Sequence, residues 1–185
     1  MKKFFLIASI LLLLSACSQD EDVDGAGAAD ETIKLEQVNV PDTIFTSDKE
    51  NEVIDEEEMK SSIGLYLDSF SELFSASELY EEKLMDEEEL SPDELEKLNA
   101  IYQLSNENDG NFLQYISKNT LPEGYQEEVM RISSYITGVN EVVGDVTKGN
   151  LKSLISNRKK VIGKEQQKIE DFLDEKNIET KAFDS

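Results

Sequence analysis

Apolar residues recur at alternating steps of four and three positions through three successive segments of the chain, and a fourth apolar segment follows them. Because an α-helix returns to the same face every 3.6 residues, this spacing places the apolar side chains in one stripe along each helix. The first stripe consists of Met59, Ile63, Tyr66, Phe70, Leu73, Ser77, Tyr80 and Leu84. A β-strand would require alternation at every second position. The period therefore predicts long helices that bury one face against each other.

Two further stripes and the fourth segment complete the pattern. The second stripe has Leu95, Leu98, Tyr102, Ser105, Asp109, Phe112 and Ile116, with Ile101, Leu104 and Leu113 beside it. The third stripe has Tyr125, Val129, Ile132, Ile136, Val139, Val143 and Val146. The fourth segment carries Leu151, Leu154, Ile155, Val161, Ile162, Ile169, Phe172 and Leu173. Glycines and β-branched residues lower the helix propensity of the third segment, but its period still favours a helix over a strand.

Two capping patterns indicate where helices begin. In a capping box a side-chain oxygen is followed three residues later by Glu, and the pair bonds free backbone amides of the first turn. Ser47 with Glu50 has this form, and so does Ser91 with Glu94. Pro92 also suits a first helical position. We therefore expect helices to begin at Ser47 and at about Pro92.

Turn residues mark the other boundaries. A Leu-Pro-Glu-Gly sequence at 121–124 ends the second helix, and a Lys-Gly-Asn sequence at 148–150 separates the third segment from the fourth. After Lys176 the chain is polar, and we expect it to fray there.

The fold class predicted from this pattern is all-α. Short connections force neighbouring helices to run in opposite directions, so we expect an antiparallel up-down bundle of three to four long helices after a disordered N-terminal tether. The alternative is that the last two helices merge through Gly149, since a glycine inside a helix costs only about 1 kcal/mol. The bundle domain is assigned to residues 47–177, and a polar tail to residues 178–185.

Residues 17–46 differ in composition from the segments that follow. They carry no helical stripe, are rich in acidic and small residues, and contain Pro41. We interpret them as a flexible acidic tether, whose root-mean-square span is roughly 30 Å at 5–6 Å times the square root of the residue number. Two short apolar pieces, Ile33–Val40 and Ile44–Phe45, leave open whether part of this tether docks onto the bundle.

The start of the chain has the form of a secretory signal peptide: two lysines, an apolar run from Phe4 to Leu14, and small residues before the single cysteine, Cys17. Spanning a bilayer takes about 20 apolar residues, so this run is too short for a transmembrane helix. The residues Leu14, Ser15, Ala16 and Cys17 resemble the bacterial lipobox. The resemblance implies cleavage after residue 16, a lipid such as palmitate on Cys17, and a lipid bilayer as partner on the outer face of the cell membrane.

Composition limits the chemistry of the chain. It contains no histidine, and its one cysteine is the predicted lipid attachment site. The usual general base near neutral pH, the commonest transition-metal ligand and a free nucleophilic thiol are therefore missing. We predict that the protein is not an enzyme and has neither cofactor nor metal. The formal net charge of −23 excludes nucleic acid as an expected partner.

One stretch of the tether matches the spacing of a calcium-binding loop. Asp20, Asp22, Asp24 and Gly25 are followed by Glu31 at the positions that an EF-hand requires. In an EF-hand two helices hold the loop closed around the ion. The tether has no helical pattern on either side, so we interpret the match as acidic tether composition, and calcium binding as the alternative.

A short motif in the second predicted helix carries a family resemblance. Asn108, Asp109 and Phe112 have the form N-D-x-x-F. Together with the lipobox and the helical, Lys- and Glu-rich domain, they resemble the NDxxF-motif lipoproteins of low-GC Gram-positive bacteria. The resemblance implies a membrane location in such a bacterium, and it implies no activity and no catalytic residue.

The motif also has a physical interpretation. Asp109 and Phe112 fall on the apolar stripe and Asn108 lies beside it, so polar side chains would enter an apolar layer and fix the helix register. Two alternatives are a break at Asp109–Gly110, where a second helix would be capped, and a binding site for a partner. The predicted function is an extracytoplasmic interaction or structural module with an unidentified envelope protein as partner. Binding of a cation or small ligand is the alternative.

Overall fold

The computed structural model describes residues 39–41, 43–86, 88–144 and 151–183, with side chains except at 85, 141–144 and 151–163. Four helices occupy these ranges: α1 (Glu56–Met85), α2 (Pro92–Lys118), α3 (Gln126–Gly144) and α4 (Leu151–Lys176). Each helix packs on the next one along the chain, and α1 also contacts α4. The predicted all-helical bundle is confirmed, and α3 and α4 are separate helices. The predicted turn at 148–150 lies outside the described residues.

Contacts between side chains show that neighbouring helices are antiparallel. From Ser62 to Tyr66 along α1, the hydrogen-bonded partners on α2 descend from Tyr115 to Asp109. The same reversal relates α3 to α4, since Tyr125, just before α3, packs on Phe172 and Tyr135 bonds Gln166. None of the helices that the structure describes combines the length and the apolar character needed to cross a bilayer.

The first helix begins later than the capping pattern predicts. The N-cap of α1 is Asp55, whose side chain accepts the backbone N–H of Glu58 at 2.9 Å. The predicted start at Ser47 is wrong, because the Ser47 hydroxyl instead accepts the N–H of Lys49 in a local turn. Residues 43–54, which we call the strap, are extended or irregular and lie against the bundle. The capping pattern at Ser47 therefore does not start a helix, because the strap makes more favourable contacts with the bundle.

Backbone bonds fix the inner part of the strap to the end of α2. The N–H groups of Asn51 and Ile54 donate to the carbonyls of Lys118 and Thr120, both at 2.9 Å. Thr120 in turn donates to the carbonyl of Glu52 at 2.8 Å. These bonds occupy the backbone groups that a helix from Ser47 would have used internally.

The second helix begins as the sequence predicts. Ser91 is the N-cap of α2, and a complete capping box joins it to Glu94, with Pro92 in the first turn. Lys83, from the last turn of α1, lies 3.0 Å from the Glu94 carboxylate. The backbone N–H of Ser91 and this ammonium group lower the pKa of Glu94 to about 2.

The buried stripes confirm most of the predicted core. Every residue of the α1 stripe from Met59 to Tyr80 is buried. On α2 the stripe is shifted, since Leu95 and Leu113 are 44% and 42% exposed whereas Asn108 and Tyr115 are buried. The helix is covered by α1, α3 and the strap at once, so its buried face is wider than one stripe. The described buried apolar residues of α3 and α4 are Val129, Ile132, Ile136, Val139, Ile169, Phe172 and Leu173.

Residues 177–183, the described part of the chain after α4, do not fray. Asn177, with a positive φ of 55°, ends α4, and Ile178 N–H bonds the Leu173 carbonyl at 2.9 Å, as in a Schellman turn. Residues 178–183, which we call the clip, then return to α1, and Ile178 and Ala182 are buried. The predicted fraying is wrong because two apolar residues of the clip complete the core.

Candidate functional site

The two groups of site residues predicted from the sequence differ in what the structure says of them. Leu14, Ser15, Ala16 and Cys17 lie outside the described residues, as does the acidic loop 20–31. The motif residues Asn108, Asp109 and Phe112 are described, and all three are buried on α2. The candidate site is therefore built around this motif.

Asn108 and Asn111 bond the backbone of one residue of the strap. Oδ1 of Asn108 accepts the N–H of Phe45 at 2.8 Å, and Nδ2 of Asn111 donates to the Phe45 carbonyl at 3.0 Å. The two asparagines are one helical turn apart, so their side chains project from the same face of α2. Asn108 also donates to the carbonyl of Tyr66 at 3.2 Å. One asparagine therefore links α1, α2 and the strap.

Phe112 is the centre of an aromatic cluster. Its ring stacks on that of Tyr66, with centroids 4.0 Å apart and planes 4° from parallel. Phe45 meets Phe112 edge-on at 5.3 Å, and also packs on Tyr115 at 5.4 Å. Pairs in such geometry contribute about 0.5–1.5 kcal/mol beyond the apolar area that they bury. Phe112 thus connects Phe45 of the strap to Tyr66 of α1.

Asp109 accepts a hydrogen bond on each carboxylate oxygen. The hydroxyl of Tyr66 donates to Oδ1 at 2.6 Å, and the hydroxyl of Thr137 on α3 donates to Oδ2. Burial, followed by the charge of Asp109, raises the pKa of Tyr66 well above its usual 10. A buried carboxylate is tolerated when its oxygens are bonded in this way. Asp109 therefore joins three consecutive helices through two hydroxyl groups.

The three interpretations of the motif can now be compared with the geometry. α2 is continuous from Pro92 to Lys118, so the break predicted as an alternative at Asp109–Gly110 is absent. A Cβ on Gly110 would meet no atom within 4 Å, so packing does not require glycine there. The buried polar contacts support the register role, in which Asn108 and Asp109 allow only one alignment of α1, α2 and α3.

The sequence did not predict the roles of three residues in this site. Thr137 and Asn111 carry no local signal that would identify them, since single polar residues on amphipathic helices are common. Phe45 had a weak signal, because Ile44–Phe45 is a short apolar piece in a polar segment, and its docking onto the bundle was left open. Tyr66 was predicted to be buried, but its bond to Asp109 was not.

A second feature is an open groove of about 360 Å³ between the start of α3 and the end of α4, lined by Glu128, Arg131, Lys168, Phe172 and Lys176 among others. Its charged groups are paired within the chain. Arg131 bonds Glu128, and Lys168 lies 2.6 Å from Glu165. A ligand would have to displace these pairs. Among the residues that the structure describes, no three acidic, histidine or cysteine side chains are grouped to hold a metal ion.

Comparison with known proteins gives a match at the first residues of the chain only. Residues 1–18 match the family model of the prokaryotic membrane lipoprotein lipid attachment site. No curated protein and no solved structure shows a significant match to the chain. The chain therefore carries a lipid attachment site of this type, and it is a lipid-anchored, membrane-associated lipoprotein. The resemblance to NDxxF-motif lipoproteins is not reached by these comparisons and stays a prediction.

Proposed function

We propose that the protein is an extracytoplasmic lipoprotein of a Gram-positive cell membrane, whose helical bundle is an interaction or structural module for an envelope protein. The observation that carries the proposal is the attachment site at residues 1–18, which includes Cys17. Two acyl chains give stable anchoring, since each buried CH₂ contributes about 0.8 kcal/mol. The anchor would hold the bundle at the outer membrane surface.

We also propose that the bundle is not an enzyme. The buried motif, the strongest candidate for chemistry in the described residues, uses its polar atoms in packing. Both oxygens of Asp109 are bonded by hydroxyl groups, and Asn108 is bonded to two backbone segments. A catalytic carboxylate needs access to a substrate within hydrogen-bond reach. Asp109 is instead placed to hold α1 and α3 on α2.

Lipid attachment is tested by labelling cells with radioactive palmitate. The protein is expected to take up the label, and Cys17→Ala is expected to lose it and to leave the membrane fraction. Ser15→Ala is the matched control, because it keeps a small residue before the cut and should be labelled normally. Labelled Cys17→Ala protein would contradict the proposal.

The side of the membrane is tested by adding a protease to intact protoplasts. The bundle should be degraded while a cytoplasmic marker survives, because an extracytoplasmic lipoprotein lies outside the permeability barrier. Survival of the bundle until detergent is added would show that it faces the cytoplasm.

The partner is tested by crosslinking in intact membranes, followed by capture of the protein. Wild-type protein is expected to capture an envelope protein that Cys17→Ala does not, because lipid anchoring restricts both to one surface. If the two forms capture the same partners from the same fraction, the anchor does not organise the interaction.

Binding of a cation is the alternative function, and its support is the match of residues 20–31 to a calcium loop. Calcium titration in a calorimeter distinguishes it from the interaction module. The alternative expects binding that Glu31→Gln abolishes, because position 12 of the loop supplies two oxygens. Asp30→Asn is the control, since position 11 supplies no ligand. Absence of heat with the wild-type chain would exclude calcium as the ligand.

A further inference from the structure

We infer that the outer strap, residues 43–48, docks into a peptide-binding pocket on α2 in a reversible step that is separate from unfolding of the bundle. The occupant of the pocket is this chain's own segment, with Phe45 as the residue that is recognised. The docking itself depends only on described residues. Its consequence, a change in the distance between lipid anchor and bundle, rests on the lipid anchor of the proposed function.

The pocket has the features of a site that recognises an extended peptide. Asn108 and Asn111 bond the N–H and the carbonyl of Phe45, and the Phe45 ring is buried against Phe112 and Tyr115. Peptide-recognition sites combine backbone hydrogen bonds with a pocket for one or a few side chains in the same way. The hydrogen-bonding asparagines and the aromatic pocket both belong to α2. Because α2 is one continuous helix, their positions do not depend on the strap.

The outer strap has fewer backbone hydrogen bonds to the bundle than the inner strap, residues 49–54. Three backbone hydrogen bonds tie the inner strap to Lys118 and Thr120, and Asn119 adds two more to Lys49 and Glu52. In the outer strap Phe45 is buried and Ile44 half-buried, whereas residues 46–48 are exposed. Ile44 and the preceding Val40 pack against the core cluster that contains Leu73, Tyr80 and Leu98. Segments with few buried contacts open at lower free energy than the core. The junction at Lys49 is therefore where opening should stop.

Opening of the outer strap leaves the rest of the motif intact. The Tyr66–Phe112 stack and the two bonds of Asp109 involve no strap residue. Asn108 keeps its bond to the Tyr66 carbonyl, while its Oδ1 and the Asn111 amide turn to water. Because Val40 also packs on the bundle, opening releases residues 39–48, ten residues that extend by at most about 35 Å, at roughly 3.3–3.6 Å each. Docked and open forms would thus place the bundle at different maximum distances from its anchor.

Hydrogen exchange of the lipidated protein in nanodiscs tests the inference. In the wild type the amide of Phe45, whose bond to Asn108 reports docking, is expected to exchange at least tenfold faster than the amides of 62–70 in α1, corrected for intrinsic rates. Phe45→Ala should raise exchange of the amide at position 45 a further tenfold or more and leave α1 within about threefold. Phe172→Ala is the matched control, since it removes a buried aromatic of α4 and should affect α1 without selectively releasing the strap.

The inference is overturned if the amide of Phe45 and those of 62–70 exchange together in the wild type, or if Phe45→Ala lowers the protection at position 45 and in α1 equally. A spin-label distance between Thr46→Cys and Gln114→Cys, both exposed positions, provides a second reading. Phe45→Ala should add a longer, broader component to the distance distribution, and an unchanged single distance would also overturn the inference. Since exchange reports docking whatever the bundle binds, a negative result would leave the lipoprotein proposal intact.

Discussion

The bundle is flanked by two non-helical segments, the strap and the clip, and they are bound in different ways. The strap inserts Phe45 into an aromatic cluster and is bonded by side chains from the buried face of α2. The clip is bonded at the surface, where Asp68 of α1 accepts the Thr180 hydroxyl at 2.7 Å and the Lys181 N–H at 2.6 Å. The hydrogen-bond partners of the strap also hold the helices together, whereas the hydrogen bonds of the clip go to Asp68 at the surface of α1 and its core contacts are made by Ile178 and Ala182.

This difference indicates how far the effect of a substitution should extend from each segment into the bundle. Asn108 and Phe112 both contact Tyr66 of α1, so damage at the strap site reaches the packing of α1 on α2. Asp68 is half-buried on α1, and its described bonds lead to the clip. Changes in the α2 residues of the strap site, Asn108 and Phe112, are therefore expected to lower the stability of the whole bundle, and changes in the surface bonds of the clip to act locally.

The largest effect is expected from Phe112→Ala. The ring contacts both Tyr66 and Phe45, and truncation of a buried aromatic costs about 3–5 kcal/mol. Urea unfolding should report this loss of unfolding free energy. Leu113→Ala, the adjacent and largely exposed position, should stay within about 0.5 kcal/mol. A small effect of Phe112→Ala would show that the strap site is as peripheral as the clip site.

Tyr66→Phe should produce the next largest effect. It keeps the stacked ring but removes the hydroxyl that bonds Asp109, and an unsatisfied buried acceptor costs about 1–3 kcal/mol. Combined with Asp109→Asn, the loss should be less than the sum of the single losses, because both act on one hydrogen bond. Additive losses would mean that the bond contributes nothing to stability.

Tyr66 should also leave a signature in alkaline solution. Its pKa is raised in the folded protein, so the neutral phenol is favoured by folding. Stability from this group is complete below the unfolded pKa near 10, and falls as pH rises beyond it. The wild type should therefore lose more unfolding free energy than Tyr66→Phe between pH 9 and 11, measured by urea unfolding. Equal losses would contradict a raised pKa.

Gly64→Ala tests the clip. A Cβ at Gly64 would lie 2.8 Å from the carbonyl oxygen of Glu179, so the clip must move away. The gain in helix propensity, about 1 kcal/mol, opposes the loss, and the net change in unfolding free energy should be small. Hydrogen exchange of residues 178–183 should rise. Gly138→Ala, with no atom within 4 Å, should leave the clip protected. An unmoved clip in Gly64→Ala would contradict the close approach.

The smallest effect concerns Glu94, at the connection between α1 and α2 and away from both segments. Its pKa is lowered from 4.5 to about 2, so its stabilising contribution is complete above pH 4.5 and is lost as pH falls toward 2. Urea unfolding of wild type and Glu94→Gln should differ at pH 5 and converge near pH 2. Exchange of the strap and the clip should not differ between the two proteins at pH 5.

Much of the fold was predictable because helix formation depends largely on residues that are close together in the sequence. The buried stripe of α1 and the capping box at Ser91 depend on residues a few positions apart. The capping pattern at Ser47 failed, although its local form is the same. The difference is that the backbone near Ser47 finds better partners on α2, and such competition is invisible in a short window of sequence.

By itself, the sequence determined the helical class, the position of the second helix, the burial of the motif and the lipid attachment site. These follow from apolar period, capping and the four residues that end at Cys17. Only the tertiary structure decided that Phe45 bonds Asn108, 63 residues away, and that Lys181 bonds Asp68, 113 residues away. Contacts over such separations depend on how the helices pack, and no local pattern encodes which polar groups then meet.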